Sequence, residues 1–126
     1  MVEYLHKELT GRIVHAAIQV HRELGPGLLE STYEQCLMHL LVQGGAPVIC
    51  QEELPIRFQG ILIDAGYRVD MLVDNKVIVE LKAVQHIEPI HEAQLLTYLR
   101  LSGIRVGLLM NFNVLRMRDG IKRFAQ

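Results

Sequence analysis

The stretch from Val77 to Met110 constrains the fold more than any other part of the chain. Val77 to Val84 is an apolar, strand-like run. Pro89 suits the first turn of a helix that reaches Leu101 and closes at Gly103. Arg105 to Met110 is again a buried-type strand. Strand, helix, strand in that order is a crossover unit, because parallel neighbours cannot be joined by a tight hairpin, and its expected connection is right-handed. The expected fold class is therefore α/β, a mixed sheet with helices packed against it.

The N-terminal third has a different period. Ile13, Ala16, Ala17, Val20 and Leu24 recur at helical spacing, with Thr10 placed to cap the helix. Gly25-Pro26-Gly27 stops it. A second helix is expected from about Leu29 to Gln43, with Leu29, Tyr33, Cys36, Leu37, Leu40 and Leu41 on one stripe. Ser31 and Glu34 have capping-box spacing, and Gly44-Gly45 ends the helix. The result is an N-terminal helical hairpin. Beyond Pro47, Val48 to Phe58 is strand-like around an awkward Pro55, and Gln59-Gly60 turns into Ile61-Leu62-Ile63. Tyr67 to Val73 is a further strand, and Asp74-Asn75-Lys76 connects it to the crossover unit. Two short strands, near Leu115 and near Ile121, are expected to close the chain.

Length and composition remove whole classes of function. At 126 residues the chain is expected to be a single domain spanning 1–126. Burial of roughly two-thirds of its surface gives a core without disulfides. Cys36 and Cys50 have neither metal-type nor redox spacing, so reduced thiols and a cytoplasmic location are expected. No apolar run is long enough for a bilayer, and the N-terminus, with Glu3 and Glu8, does not read as a signal peptide. A net charge of −1 lacks the basic excess of a non-specific nucleic-acid binder, although charge can still be segregated on the surface.

One strand is chemically odd. Strand alternation puts Val77, Val79, Leu81 and Ala83 on one face, and Glu80 with Lys82 on the other. Charged groups in so apolar a segment are rarely buried unless paired, and a structural ion pair is the simplest account. The preceding strand adds Asp70. If Asp74-Asn75-Lys76 is a three-residue loop, Val73 faces Val77 and Asp70 falls opposite Glu80. Two carboxylates that close repel unless a cation neutralises them, and hard oxygen ligands suit Mg²⁺ or Mn²⁺. A two-residue turn would instead put the acids on opposite faces.

Asp70 followed ten residues on by Glu80-Leu81-Lys82 resembles the signature of the PD-(D/E)XK nuclease superfamily. Gln94-Leu95-Leu96-Thr97-Tyr98 is similar to the glutamine-and-tyrosine helix motif of its RecB-like branch. Gly27-Leu28-Leu29-Glu30-Ser31-Thr32-Tyr33 resembles the motif of the small GxxExxY proteins. The similarity to that family runs from about Ile13 to Phe124 and includes His91-Glu92-Ala93-Gln94 and Gly107 to Phe112.

The resemblance implies a restriction-endonuclease-like mixed β-sheet flanked by helices, and a divalent-metal-dependent phosphodiesterase acting on DNA or, less readily, RNA. It implies that Asp70 and Glu80 hold Mg²⁺ or Mn²⁺, with Glu30 as a third carboxylate and the Leu81 carbonyl as a further oxygen. It gives Lys82 the attacking water and the charge on the phosphate. A lysine beside two carboxylates is favoured in its charged form, so the electrostatic role is preferred. Gln94 would bond to Lys82, water or substrate, and Tyr98 would position a phosphate or Gln94.

Other residues have blander readings. Tyr33 lies on the apolar stripe and fits the core, while His21 fits a satisfied or surface position better than a cleft. Gly66 stands four residues before Asp70 where the RecB-like motif has its glycine three before, and the intervening Arg68 is a candidate phosphate contact. The partners expected are nucleic acid, a second copy in a homodimer, and an unidentified protein, with no membrane. The competing reading is a catalytically silent module that keeps the fold for nucleic-acid or protein binding.

Overall fold

The computed structural model describes residues 5–126, so Glu3 of the charged N-terminus lies outside the described residues. Two helices come first, α1 (Lys7–Leu24) and α2 (Glu30–Gln43). Then follow β1 (Val48–Glu53), β2 (Ile56–Phe58), β3 (Ile61–Ile63), β4 (Arg68–Val73) and β5 (Val77–Lys82). The chain ends with α3 (Pro89–Ser102), β6 (Val106–Asn111), a 3₁₀ turn (Met117–Gly120) and β7 (Ile121–Ala125). The five-stranded sheet has the order β1-β4-β5-β6-β7, and β2 pairs only with β3. The crossover through α3 makes β5 and β6 parallel, while the other neighbours are antiparallel. This is the expected α/β restriction-endonuclease-like arrangement, with the helical hairpin first.

The sheet separates two apolar clusters. On one face Ile13, Val20 and Leu37 of the first two helices pack with Val77, Val79, Leu81, Leu108 and Met110. On the other, Leu95, Tyr98 and Leu99 of α3 pack with Leu72, Ile78 and Leu109. Each large side chain so buried contributes roughly 1.5–3 kcal/mol relative to exposure. Because β5 and β6 are covered on both faces, they read as continuous apolar runs rather than alternating ones.

Local chemistry explains the boundaries. Gly45, at φ 91°, ends α2, and the main-chain bonds Gly45 N–H to Val42 and Ala46 N–H to Leu41 satisfy carbonyls left over at the helix end. Pro89 opens α3 beside a capping box in which the Glu88 N–H donates to Nδ1 of His91 at 3.0 Å.

Several expectations need correction. Thr10 does not cap α1; it lies one turn inside, and its hydroxyl bonds back to the Lys7 carbonyl at 3.0 Å. Ser31 and Glu34 form no capping box: Leu29 is the cap residue of α2, with no side-chain bond, and Glu34 is used elsewhere. Leu24 and Leu29 are exposed rather than on the buried stripes. The run from Val48 to Phe58 divides at Leu54-Pro55 into β1 and β2, since proline offers no N–H to a ladder. No strand forms near Leu115, which is fully in solvent ahead of the 3₁₀ turn.

Candidate active site

The connection between β4 and β5 decides the geometry. Asp74 and Asn75 both take positive φ, 52° and 54°, and the Lys76 N–H closes the turn on the Val73 carbonyl at 3.0 Å. Val73 therefore pairs with Val77, Leu72 with Ile78 and Met71 with Val79. The three-residue loop holds, and the next step of the register sets Asp70 opposite Glu80.

At that step the two strands stop exchanging main-chain bonds, and side chains take over. The Asp70 N–H donates to Oε2 of Glu80 at 2.7 Å, and the Leu81 N–H donates to Oδ2 of Asp70 at 2.9 Å. Each carboxylate is thus pinned through one oxygen. Face alternation also breaks here. Met71 packs with the first two helices, whereas Val69, two residues away, packs with α3. The site sits in a fork of the sheet between the two helical layers.

Burial dominates the electrostatics. Glu80 is 4% exposed. Burial, and then the Asp70 charge, push its carboxyl up from 4.5 to about 8, against the opposing pull of the Asp70 N–H and of Lys82. Burial likewise raises Asp70, partly offset by the Leu81 N–H, Lys82 and Gln51. Tyr98, only 7% exposed, is raised by burial and then by the charges of Glu80, Asp70 and Tyr67. Lys82 is half-buried and forms no ion pair with Asp70 or Glu80 among the described residues, where the three ion pairs join Arg68 to Glu53, Lys76 to Asp74 and Lys122 to Glu92. A structural ion pair does not account for the charges in β5.

The remaining expected residues fall around this pair. Glu30, the first residue of α2, accepts the Ala83 N–H at 3.3 Å just past β5, so the helical hairpin reaches the end of the strand that carries Glu80. Gln94 is exposed on α3, one turn before Tyr98, and makes no hydrogen bond to Lys82 among the described residues. Arg68 bonds to Glu53 at 3.3 Å and to the Gln51 carbonyl at 3.1 Å. His21 is buried on α1 with Nε2 2.7 Å from the Val114 carbonyl, a satisfied histidine. Tyr33 is fully buried, stacked on Phe112 at 4.5 Å; its hydroxyl donates to the Gly25 carbonyl and accepts the Leu28 N–H. It ties the Gly25-Pro26-Gly27 turn to the start of α2 and so aims Glu30.

Two residues of the site were not read from the sequence. Glu34, one turn beyond Glu30 on the same helix face, is raised by burial and by the charges of Asp70 and Glu30. Gln51 of β1 links it to Asp70, with Nε2 2.9 Å from Glu34 Oε1 and 3.5 Å from Asp70 Oδ1. The spacing from Glu30 to Glu34 was the available signal, but Glu34 was assigned to a cap.

The donor set fits a hard divalent cation. Buried Glu80 and half-buried Asp70 face each other with no ammonium or guanidinium within ion-pair distance among the described residues. No three acidic, histidine or cysteine side chains converge as a closed cage among the described residues. Asp70 and Glu80 are the two side chains that would hold a divalent cation, with water filling the rest of its shell. A cavity of about 480 Å³ between β1, β4 and the end of α3, walled by Leu54, Val69, Leu72, Ile78, Arg100 and Ile104, includes none of Asp70, Glu80 and Lys82. The acids lie outside that cavity, at the fork.

The family model of the PD-(D/E)XK nuclease superfamily matches residues 7–124. The chain belongs to that superfamily. No curated protein and no solved structure matches it. Within this superfamily domain, Asp70, Glu80 and Lys82 occupy the β4–β5 hairpin, and α3, which carries Gln94 and Tyr98, packs over it. None of the described helices is long and apolar enough to cross a membrane.

Proposed function

We propose that this PD-(D/E)XK domain is a divalent-metal-dependent phosphodiesterase of the GxxExxY type, cutting DNA in preference to RNA. The observation that carries the reading is the opposed pair Asp70 and Glu80, each fixed by a main-chain N–H, with Lys82 beside them and in no ion pair among the described residues. A lysine that steadies the charge of both acids without a direct ion pair to either can also face a substrate phosphate. Mg²⁺ or Mn²⁺, when bound, would supply a Lewis acid for a phosphoryl oxygen and lower the pKa of water.

The chain's own residues divide the remaining work. Asp70 and Glu80 would hold the cation. The Lys82 ammonium offsets negative charge building on the phosphate as water attacks phosphorus and the ester P–O bond breaks. The Tyr98 hydroxyl, kept protonated by its buried acidic surroundings, donates a hydrogen bond to a phosphate oxygen. Gln94, exposed one turn away, contacts the neighbouring stretch of substrate backbone. Glu30, held at the end of β5 by the Ala83 N–H, would add a third carboxylate on the helical side. We place the protein in the cytoplasm, consistent with the free thiols of Cys36 and Cys50, acting as a single catalytic unit that pairs as a homodimer.

The test is cleavage of end-labelled single-stranded, duplex and branched DNA, with RNA alongside, in Mg²⁺, Mn²⁺ or EDTA. Wild type is expected to cut in either metal and not in EDTA, and Glu80→Ala and Lys82→Ala to be inactive. Equal inertness of all three proteins, with no Mn²⁺ bound by wild type, would favour the silent module instead.

A further inference from the structure

Gln51 lies where two interruptions of the sheet coincide. Pairing of β1 with β4 runs from Val48↔Val73 to Cys50↔Met71 and resumes at Glu52↔Val69, so Gln51 stands opposite Asp70 at the missing bridge. The two strands change faces together at this step. Cys50 packs with the first two helices, and Leu54, at the same alternation, packs with α3. Gln51 makes that change through a left-handed backbone, φ 55°, which is uncommon for a residue with a side chain and costs free energy unless its surroundings compensate.

Two contacts hold it there. Its carbonyl, turned out of the ladder, accepts from Nη1 of Arg68 at 3.1 Å. Its side-chain amide reaches Glu34 at 2.9 Å and Asp70 at 3.5 Å. Gln51 is exposed and contributes nothing to either apolar cluster, so packing does not explain why a strained backbone is retained. An asparagine or glycine would adopt this conformation with less strain, yet neither would carry an amide far enough to bridge the two acids.

We propose that Gln51 is a positioning residue of the site. Its left-handed backbone aims the amide between β4 and α2, setting the separation of Asp70 and Glu34 and recruiting Glu34 alongside Glu30 as the helical contribution to the acidic site. Arg68 serves the same end by anchoring the carbonyl of Gln51, which gives that arginine a role away from the substrate. The inference rests on the metal-dependent reading above.

Mn²⁺ titration calorimetry of metal-free protein, paired with thermal unfolding, tests it. Gln51→Gly removes the amide and relieves the backbone. Its unfolding midpoint is expected to stay or rise, while Mn²⁺ affinity falls about 10–100-fold, the usual effect of losing a residue that orients metal ligands. Gln51→Asn tolerates the left-handed backbone but is one methylene short of Glu34, and the same split is expected. Wild-type affinity in both variants would overturn the positioning role and leave the metal reading standing. A midpoint and an affinity that fall together would make Gln51 merely structural. Absence of Mn²⁺ binding by wild type would overturn the metal reading, and this inference with it.

Discussion

Asp70 and Glu80 are cross-linked through the main chain: the Asp70 N–H donates to the Glu80 carboxylate at 2.7 Å, while the Asp70 carboxylate takes the N–H of Leu81 at 2.9 Å. Two acids that would repel are thus locked side by side by donors that a sheet would ordinarily spend on its own ladder. The arrangement is favourable for a cation and costly without one, because Glu80 is almost fully buried.

That cost sets a pH dependence. Glu80 shifts from 4.5 to about 8 on folding, so between those values the native state binds the extra proton. Native stability from protonated Glu80 is fully present below about 4.5 and is lost as pH rises towards 8, and Asp70 and Glu34 shift in the same direction. Denaturant midpoints of the metal-free protein are expected to fall from pH 5 to pH 8, by roughly a few kcal/mol in unfolding free energy. Glu80→Gln should flatten most of that slope. An unchanged slope in the variant would show that Glu80 ionises freely in the folded protein.

Lys82→Ala should separate activity from folding. Lys82 has no ion pair to lose among the described residues, so stability is expected to change by less than about 1 kcal/mol. Cleavage should fall about 10²–10³-fold, as for loss of one group that stabilises developing charge. Thermal melts and single-turnover cleavage on the same preparation check both halves.

Tyr33→Phe keeps the stack on Phe112 and removes the hydroxyl that bridges Leu28 and Gly25. Two main-chain groups around the turn lose their partner, and the expected cost is about 1–3 kcal/mol by urea denaturation. Because the turn aims α2, Mn²⁺ affinity should fall as well. A neutral substitution would show that water replaces the hydroxyl at no cost.

Two glycines should respond unequally to alanine. A Cβ on Gly107 meets the end of the Leu95 side chain at 2.9 Å, which a flexible leucine can relieve by shifting. A Cβ on Gly120 runs into the carbonyl oxygen of Asn111, and backbone cannot move aside as readily. Asn111 also fastens Val84 and Asn113 through its side chain. Gly120→Ala is expected to cost at least about 1–3 kcal/mol and Gly107→Ala less, measured by thermal unfolding.

By itself the sequence determined the elements whose periodicity is strong and the chemistry held within one hairpin. The crossover from Val77 to Met110 and the helical hairpin were legible because local spacing decides them, whereas the pairing of Asp70 with Glu80 was one of two registers until the folded turn set Val73 opposite Val77. Chain ends and caps were less legible: Thr10 and the Ser31–Glu34 pair match cap patterns, but only the packed structure shows where each helix begins. The tertiary structure alone decided what meets across the sheet. Glu34 and Gln51 lie 17 residues apart in sequence and join only when α2 packs against β1. The left-handed backbone of Gln51 lies opposite Asp70 at the missing bridge, a conformation that glutamine's own propensity does not favour. Lys82 likewise reads in sequence as half of an ion pair with Glu80, whereas among the described residues it forms none and the acids accept main-chain N–H groups.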